Sequence, residues 1–146
     1  MKIIATNRKA GFEYFLIDKY QAGIALVGSE VKSLRNGGVS MEDSYIIIRG
    51  TTVLLKNMYI KPYEKTSAFG VDEKRDRKLL LNKKEIFKLS RELNDVGLTI
   101  VPTKLYFEKN LVKIEIALAK GKKLYDKRES IKQKELLREK GRHLYG

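Results

Sequence analysis

Two runs of cations carry most of the chemistry this chain can do. Residues 74–84 hold Lys74, Arg75, Arg77, Lys78, Lys83 and Lys84 against the single acid Asp76. Residues 119–146 hold ten basic residues against four acids. The two runs account for eleven of the thirteen net positive charges on 146 residues. Clustered cations suit a polyanion, because each neutralised phosphate releases condensed counterions and adds salt-dependent affinity. Charge alone leaves plain solubility and an anionic membrane surface open as alternatives.

Covalent chemistry is poorly provided for. Cys is absent and the one His, His143, stands near the C-terminus. That excludes a disulfide scaffold, a Cys-held metal and a thiol nucleophile, and leaves no Ser–His pair in the folded body. No P-loop, GxGxxG or HExxH string occurs. Glu30, Glu42 and Asp43 are close enough in sequence to suggest Mg²⁺, but a solvated loop explains them as well. No cofactor, metal site or enzymatic activity is therefore expected. No apolar run reaches the ~18 residues of a membrane span and no export signal opens the chain, so a cytoplasmic protein without a membrane partner is the expectation.

The elements that must position these residues read mainly as strands. Residues 12–17 and 23–27 are short apolar runs, and residues 45–49 and 53–57 flank a turn at Gly50-Thr51-Thr52. Residues 98–101 precede Pro102, which suggests a strand end or edge. Residues 104–108 and 111–118 alternate about Lys109-Asn110, placing Leu105, Phe107, Val112, Ile114, Ile116 and Leu118 on a buried face. Tyr106 falls on the wetter side, with packing preferred over base stacking. Ser29 can cap a helix over residues 30–36 that Gly37 or Gly38 ends, with Val31 and Leu34 inward and Lys32 and Arg35 outward. Asn82 and Glu85 open a second helix, striped by Ile86, Leu89 and Leu93 and stopped by Gly97. The division expected is a β domain over residues 1–119 and a basic tail over 120–146. In the tail, Ser130 caps a possible helix with Lys134, Arg138 and Arg142 aligned, and like charges in line favour disorder until a polyanion binds.

Several strings stand in one order: Asn7-Arg8-Lys9-Ala10, GSEVKSLR from Gly28 to Arg35, Asp43-Ser44-Tyr45, RKLLL from residue 77, Leu105-Tyr106-Phe107, and AKGKKLYDKR from residue 119 to 128. In this order they resemble the SmpB family, which binds the transfer-messenger RNA of bacteria. The resemblance implies an oligonucleotide-binding type antiparallel β-barrel with two or three short accessory helices and a basic C-terminal tail. It implies a non-enzymatic adaptor that grips the tRNA-like domain of transfer-messenger RNA. Delivered with elongation factor Tu, it enters the vacant site of a stalled ribosome, where the tail meets small-subunit rRNA in the empty mRNA channel and the unfinished product is tagged. A monomer is expected when free. The RNA face carried over comprises Asn7, Arg8, Lys9, Glu30, Lys32 and Arg35, with Lys120, Lys122 and Lys123 leading into the tail. Tyr125, Asp126, Lys127 and Arg128 would act at the decoding site. A carboxylate is repelled by phosphate, so Glu30 would accept from base amino groups or 2′-hydroxyls, orient a neighbouring cation, or complement its helix terminus. Gly11-Phe12 departs from the basic residue and His usual in the family, leaving the Phe12 ring as a possible replacement. A permanent ribosomal protein and a Mg²⁺-dependent RNA-processing enzyme are the competing classes.

Overall fold

The computed structural model describes residues 2–62, 72–95 and 97–122. In chain order the elements are β1 (Lys2–Thr6), α1 (Arg8–Glu13), β2 (Tyr14–Ile24), α2 (Gly28–Arg35), β3 (Val39–Ser40), β4 (Tyr45–Arg49) and β5 (Thr52–Lys56). β6 (Tyr59–Ile60), β7 (Arg77–Leu80), α3 (Lys83–Glu92), β8 (Leu98–Glu108) and β9 (Leu111–Gly121) follow.

Six antiparallel strands follow one another as β8-β4-β5-β7-β2-β9, and β9 pairs back onto β8 to complete a ring. β1 is added on the far half of β8, and β3 with β6 forms a separate two-stranded ribbon. A ring suits these strands because it leaves few edges to solvent. Ile114 and Ile116 are wholly buried, with Leu105, Leu55 and Ile100 beside them in the main core. The turn of the last hairpin is tight: Glu108 faces Leu111, and Lys109 and Asn110 both take positive φ, at 49° and 68°. That is the hairpin geometry whose twist matches the flanking strands. Tyr106 is 2% exposed and is a packing residue.

Four boundaries differ from the sequence reading, one being the end of α3, which stops at Glu92 with Leu93 as its cap, short of Gly97. Residues 14–24 form one strand in place of two runs, and Phe12 belongs to α1, where it is 79% exposed. Pro102 lies inside β8 instead of ending it, beside a shift in the pairing with β9. The reason is local. On its other edge β8 pairs with β4 at Ile100 and with β1 from Lys104 onward, so a residue lacking an N–H sits where the partner changes. Finally, α2 starts at Gly28, so Ser29 is inside the helix and does not cap it. Its far end behaves as expected. Gly37, at φ 75°, donates to the Leu34 carbonyl and Gly38 to that of Ser33, the paired bonds of a left-handed helix stop. α3 begins as read, with Asn82 Oδ1 accepting from the Glu85 N–H at 2.9 Å.

A second, smaller apolar cluster lies under α1, where Ala10 meets Val101 and Ala119 with Tyr14 and Leu16 alongside. The C-terminal part of β9 is thus packed on both faces, and pairing with β2 continues through Lys120 and Gly121. Residues 123–146, including the proposed tail helix, lie outside the described residues.

Candidate RNA interface

Asn7 does its work inside the protein. Its Oδ1 accepts from the Ala10 N–H at 3.3 Å, capping α1. Its Nδ2 donates to the Pro102 carbonyl at 2.9 Å and its backbone N–H to that of Thr103 at 2.7 Å. Those two carbonyls belong to the stretch of β8 where β4 has left and β1 has yet to pair. Asn7 therefore fixes the start of α1 on the ring and aims the cations that follow. Arg8 is exposed. Lys9 Nζ lies 3.0 Å from Asp43 Oδ1 and 3.9 Å from Glu13 Oε1. The hydrogen bond and charge of Asp43, with Glu13 adding, raise the Lys9 pKa. Lys9, Glu13, Tyr14 and Asp43 line an open cavity of about 410 Å³ between α1 and the start of β4.

Lys122 returns to the same helix. Its Nζ donates to the Gly11 carbonyl at 3.0 Å and stands 5.2 Å from the centre of the Phe15 ring. Lys120, on β9, is paired directly opposite Phe15. With Phe12 and Phe15 both exposed, α1 carries an aromatic and cationic border. Lys32 and Arg35 sit on α2, both exposed, with the Arg35 guanidinium carbon 5.9 Å from the centre of the Phe107 ring. The structure thus gathers Asn7, Arg8, Lys9, Lys120 and Lys122 around α1 and sets Lys32 and Arg35 on another element. Lys123, Tyr125, Asp126, Lys127 and Arg128 lie outside the described residues.

Glu30 is 4% exposed and faces inward. Its Oε1 accepts from Arg75 Nη2 at 2.6 Å and from the Val27 N–H at 3.1 Å, and its Oε2 accepts from Arg77 Nε at 2.8 Å. Burial pushes the carboxyl pKa up, but Arg75, the Val27 N–H and Arg77 together outweigh it and hold the group below the ordinary glutamate range. Of the roles open to Glu30 on sequence, the arrangement supplies two: it complements its helix start and it orients cations. Its oxygens are directed at protein donors, not at the surface.

Arg77 departs most from what the charge run suggests. It is wholly buried, and besides Glu30 it donates to the carbonyls of Met58 at 2.5 Å and Glu73 at 3.0 Å. Burial lowers its pKa, and the Glu30 charge works against that shift. Arg75 is half-buried against Glu30 and the Ala25 carbonyl. The exposed part of the run is therefore Lys74, Lys78, Lys83 and Lys84. One signal in the sequence points to this. In RKLL the period of two that turns Leu79 inward turns Arg77 the same way.

Among the described residues no group of three or more His, Cys, Asp or Glu side chains is placed to hold a metal, and no helix is long and apolar enough to cross a membrane. Asp43 is engaged by Lys9, and Glu30 by the two arginines. A small antiparallel β-ring, covered by helices that present cations and aromatics to solvent, defines a nucleic-acid-binding barrel protein. Within that class the chain belongs to the SmpB family, whose pattern matches residues 4–145. The SsrA-binding protein of a Sulfurihydrogenibium species is 51% identical over 138 residues, covering 94% of this chain and 91% of that protein. That of Caldanaerobacter subterraneus is 52% identical over 139 residues, covering 95% and 88%. That of Thermosipho melanesiensis is 50% identical over 147 residues and spans both chains completely. A solved chain described under the words "tmRNA-SmpB: a journey to the center of the bacterial ribosome" superposes with a TM-score of 0.69. It is 44% identical, covering 80% of this chain and 82% of that one.

Proposed function

We propose that this chain is a non-enzymatic RNA-binding adaptor of trans-translation. It binds the tRNA-like domain of transfer-messenger RNA and takes it to stalled ribosomes, where the unfinished product is tagged for degradation. The observation that carries this reading is the identity of about half of all residues to proteins named SsrA-binding, sustained over nearly the whole chain. The surface agrees with it. Arg8, Lys32 and Arg35 are exposed cations on short helices braced against a rigid ring, which is how a protein reads folded RNA by its backbone and shape.

In this reading α1 and α2 form the face for the tRNA-like domain. Asn7 and Glu30 act as positioning residues for Arg8 and Lys9 and for α2. Lys120 and Lys122, at the end of β9, lead with Lys123 into a basic tail that occupies the empty mRNA channel. There Tyr125, Asp126, Lys127 and Arg128 meet small-subunit rRNA. Elongation factor Tu accompanies the complex, the free protein is a monomer, and the site of action is the cytoplasm.

The test is binding of the full chain to the isolated tRNA-like domain across a salt series. Lys32→Ala with Arg35→Ala removes two phosphate contacts and should flatten the log–log salt slope by roughly 1.4 to 1.8 units. An unchanged slope would remove α2 from the RNA face. RNA recovered with the native protein should be dominated by transfer-messenger RNA; recovery of rRNA alone would favour a permanent ribosomal component.

A further inference from the structure

We infer that Asp43 is a specificity-determining residue of the RNA face: it holds the Lys9 ammonium away from chance phosphates and presents it in one orientation to the tRNA-like domain. This rests on the reading of α1 as part of that face. Asp43 stands on the turn between β3 and β4, where the Ser44 N–H donates to the Met41 carbonyl at 3.2 Å and Asp43 takes φ 61°. A four-residue turn with positive φ at its third position favours Gly or Asn over Asp. The turn is pinned from two sides. Ser44, buried, donates its hydroxyl to the Met41 carbonyl, and Asn57, between β5 and β6, donates its side-chain amide to the Asp43 carbonyl at 3.2 Å. The carboxylate is thereby fixed beside α1, with Oδ1 3.0 Å from Lys9 Nζ.

Stability does not account for the arrangement. The Lys9 and Asp43 side chains are 39% and 69% exposed, and an ion pair so exposed adds little to folding. Its effect falls on ligands instead. Glu13, one turn along α1, sets a second carboxylate 3.9 Å from the same ammonium. A phosphate that reaches Lys9 therefore meets two negative charges and must displace the nearer one. An RNA shaped to the face finds the ammonium already in place and forgoes the cost of ordering a long side chain. Chance RNA loses a cation that the tRNA-like domain keeps, and the difference between the two affinities widens.

The experiment measures binding of the full chain to the tRNA-like domain and to an unrelated RNA hairpin across a salt series. Asn and Gly both accept the backbone of residue 43, so Asp43→Asn and Asp43→Gly should fold with urea midpoints close to that of the wild type. Both should raise affinity for the hairpin about threefold and steepen its salt slope by roughly 0.7 to 0.9 units, the signature of one released cation. Affinity for the tRNA-like domain should stay within about 1.5-fold, because lost orientation offsets the removed repulsion. In a Lys9→Ala background Asp43→Asn should leave the hairpin slope unchanged, a coupling that a merely structural role would not produce. Glu42→Gln removes the same charge from the same turn and should also leave that slope unchanged. An unchanged hairpin slope in Asp43→Asn overturns the proposal. So does an equal gain on both RNAs, or a gain that survives Lys9→Ala or is matched by Glu42→Gln, each of which would make Asp43 one more acid near the face. Failure of the wild-type chain to bind the tRNA-like domain would refute the adaptor reading, and the hairpin slope would still decide whether Asp43 restrains Lys9.

Discussion

Replacing Glu30 by Gln should unsettle the fold before it touches RNA. The substitution keeps the volume and removes the charge that faces Arg77, whose side chain is 0% exposed, and Arg75, at 28%. Breaking a buried ion pair from one side costs about 3–5 kcal/mol, because the remaining charge is left without compensation. Arg77 keeps backbone carbonyls of Met58, Arg75 and Glu73 as acceptors, which places the expected loss at the lower end, about 3 kcal/mol. In urea that is a lower midpoint at unchanged slope, and on heating a fall in Tm of roughly 10 °C. Adding Arg77→Met to Glu30→Gln removes the stranded cation and should recover at least about 1 kcal/mol. Acidification supplies an independent reading. The Glu30 pKa is depressed in the folded state, so its contribution is fully present above the unfolded value of about 4.3 and is lost as pH falls through the folded one. The gap between wild type and Glu30→Gln should therefore narrow as pH falls below that unfolded value. A loss under about 1 kcal/mol at neutral pH, or no recovery in the double variant, would refute the assignment of this pair as the brace of α2.

Asn7→Ala should cost about 1–2 kcal/mol from the lost cap and the lost bond to Pro102. Asn7→Asp should cost at least as much at neutral pH, although Asp caps as well, because it sets a carboxylate against that carbonyl; urea midpoints decide. Ending the chain after residue 118 removes the pairing of Ala119 to Gly121 with β2, including a wholly buried Ala119, and should lower Tm sharply. Ending it after residue 122 should leave Tm and affinity for the tRNA-like domain nearly intact while abolishing tagging in a reconstituted stalled-ribosome assay. Equal melting of the two truncations would show that the last three residues of β9 contribute nothing to the ring.

The period-two pattern of residues 111–118, the turn at Lys109-Asn110, the Asn82 cap and the outward Lys32 and Arg35 were all legible in the sequence, since each depends on neighbours a few residues apart. So was the family, because its strings are contiguous. The tertiary structure alone decided that Pro102 belongs inside a strand, that Asn7 gives its side-chain amide to the Pro102 carbonyl and its backbone N–H to that of Thr103, and that the inward-turned Arg77 meets Glu30. Those outcomes depend on partners that the ring brings together from far along the chain, 95 residues away for Asn7 and 47 for Arg77. A run of cations looks uniform in sequence because charge carries no label for burial. Only closure of the ring, which sets Glu30 opposite Arg77, supplies the counter-charge that lets one of them leave water.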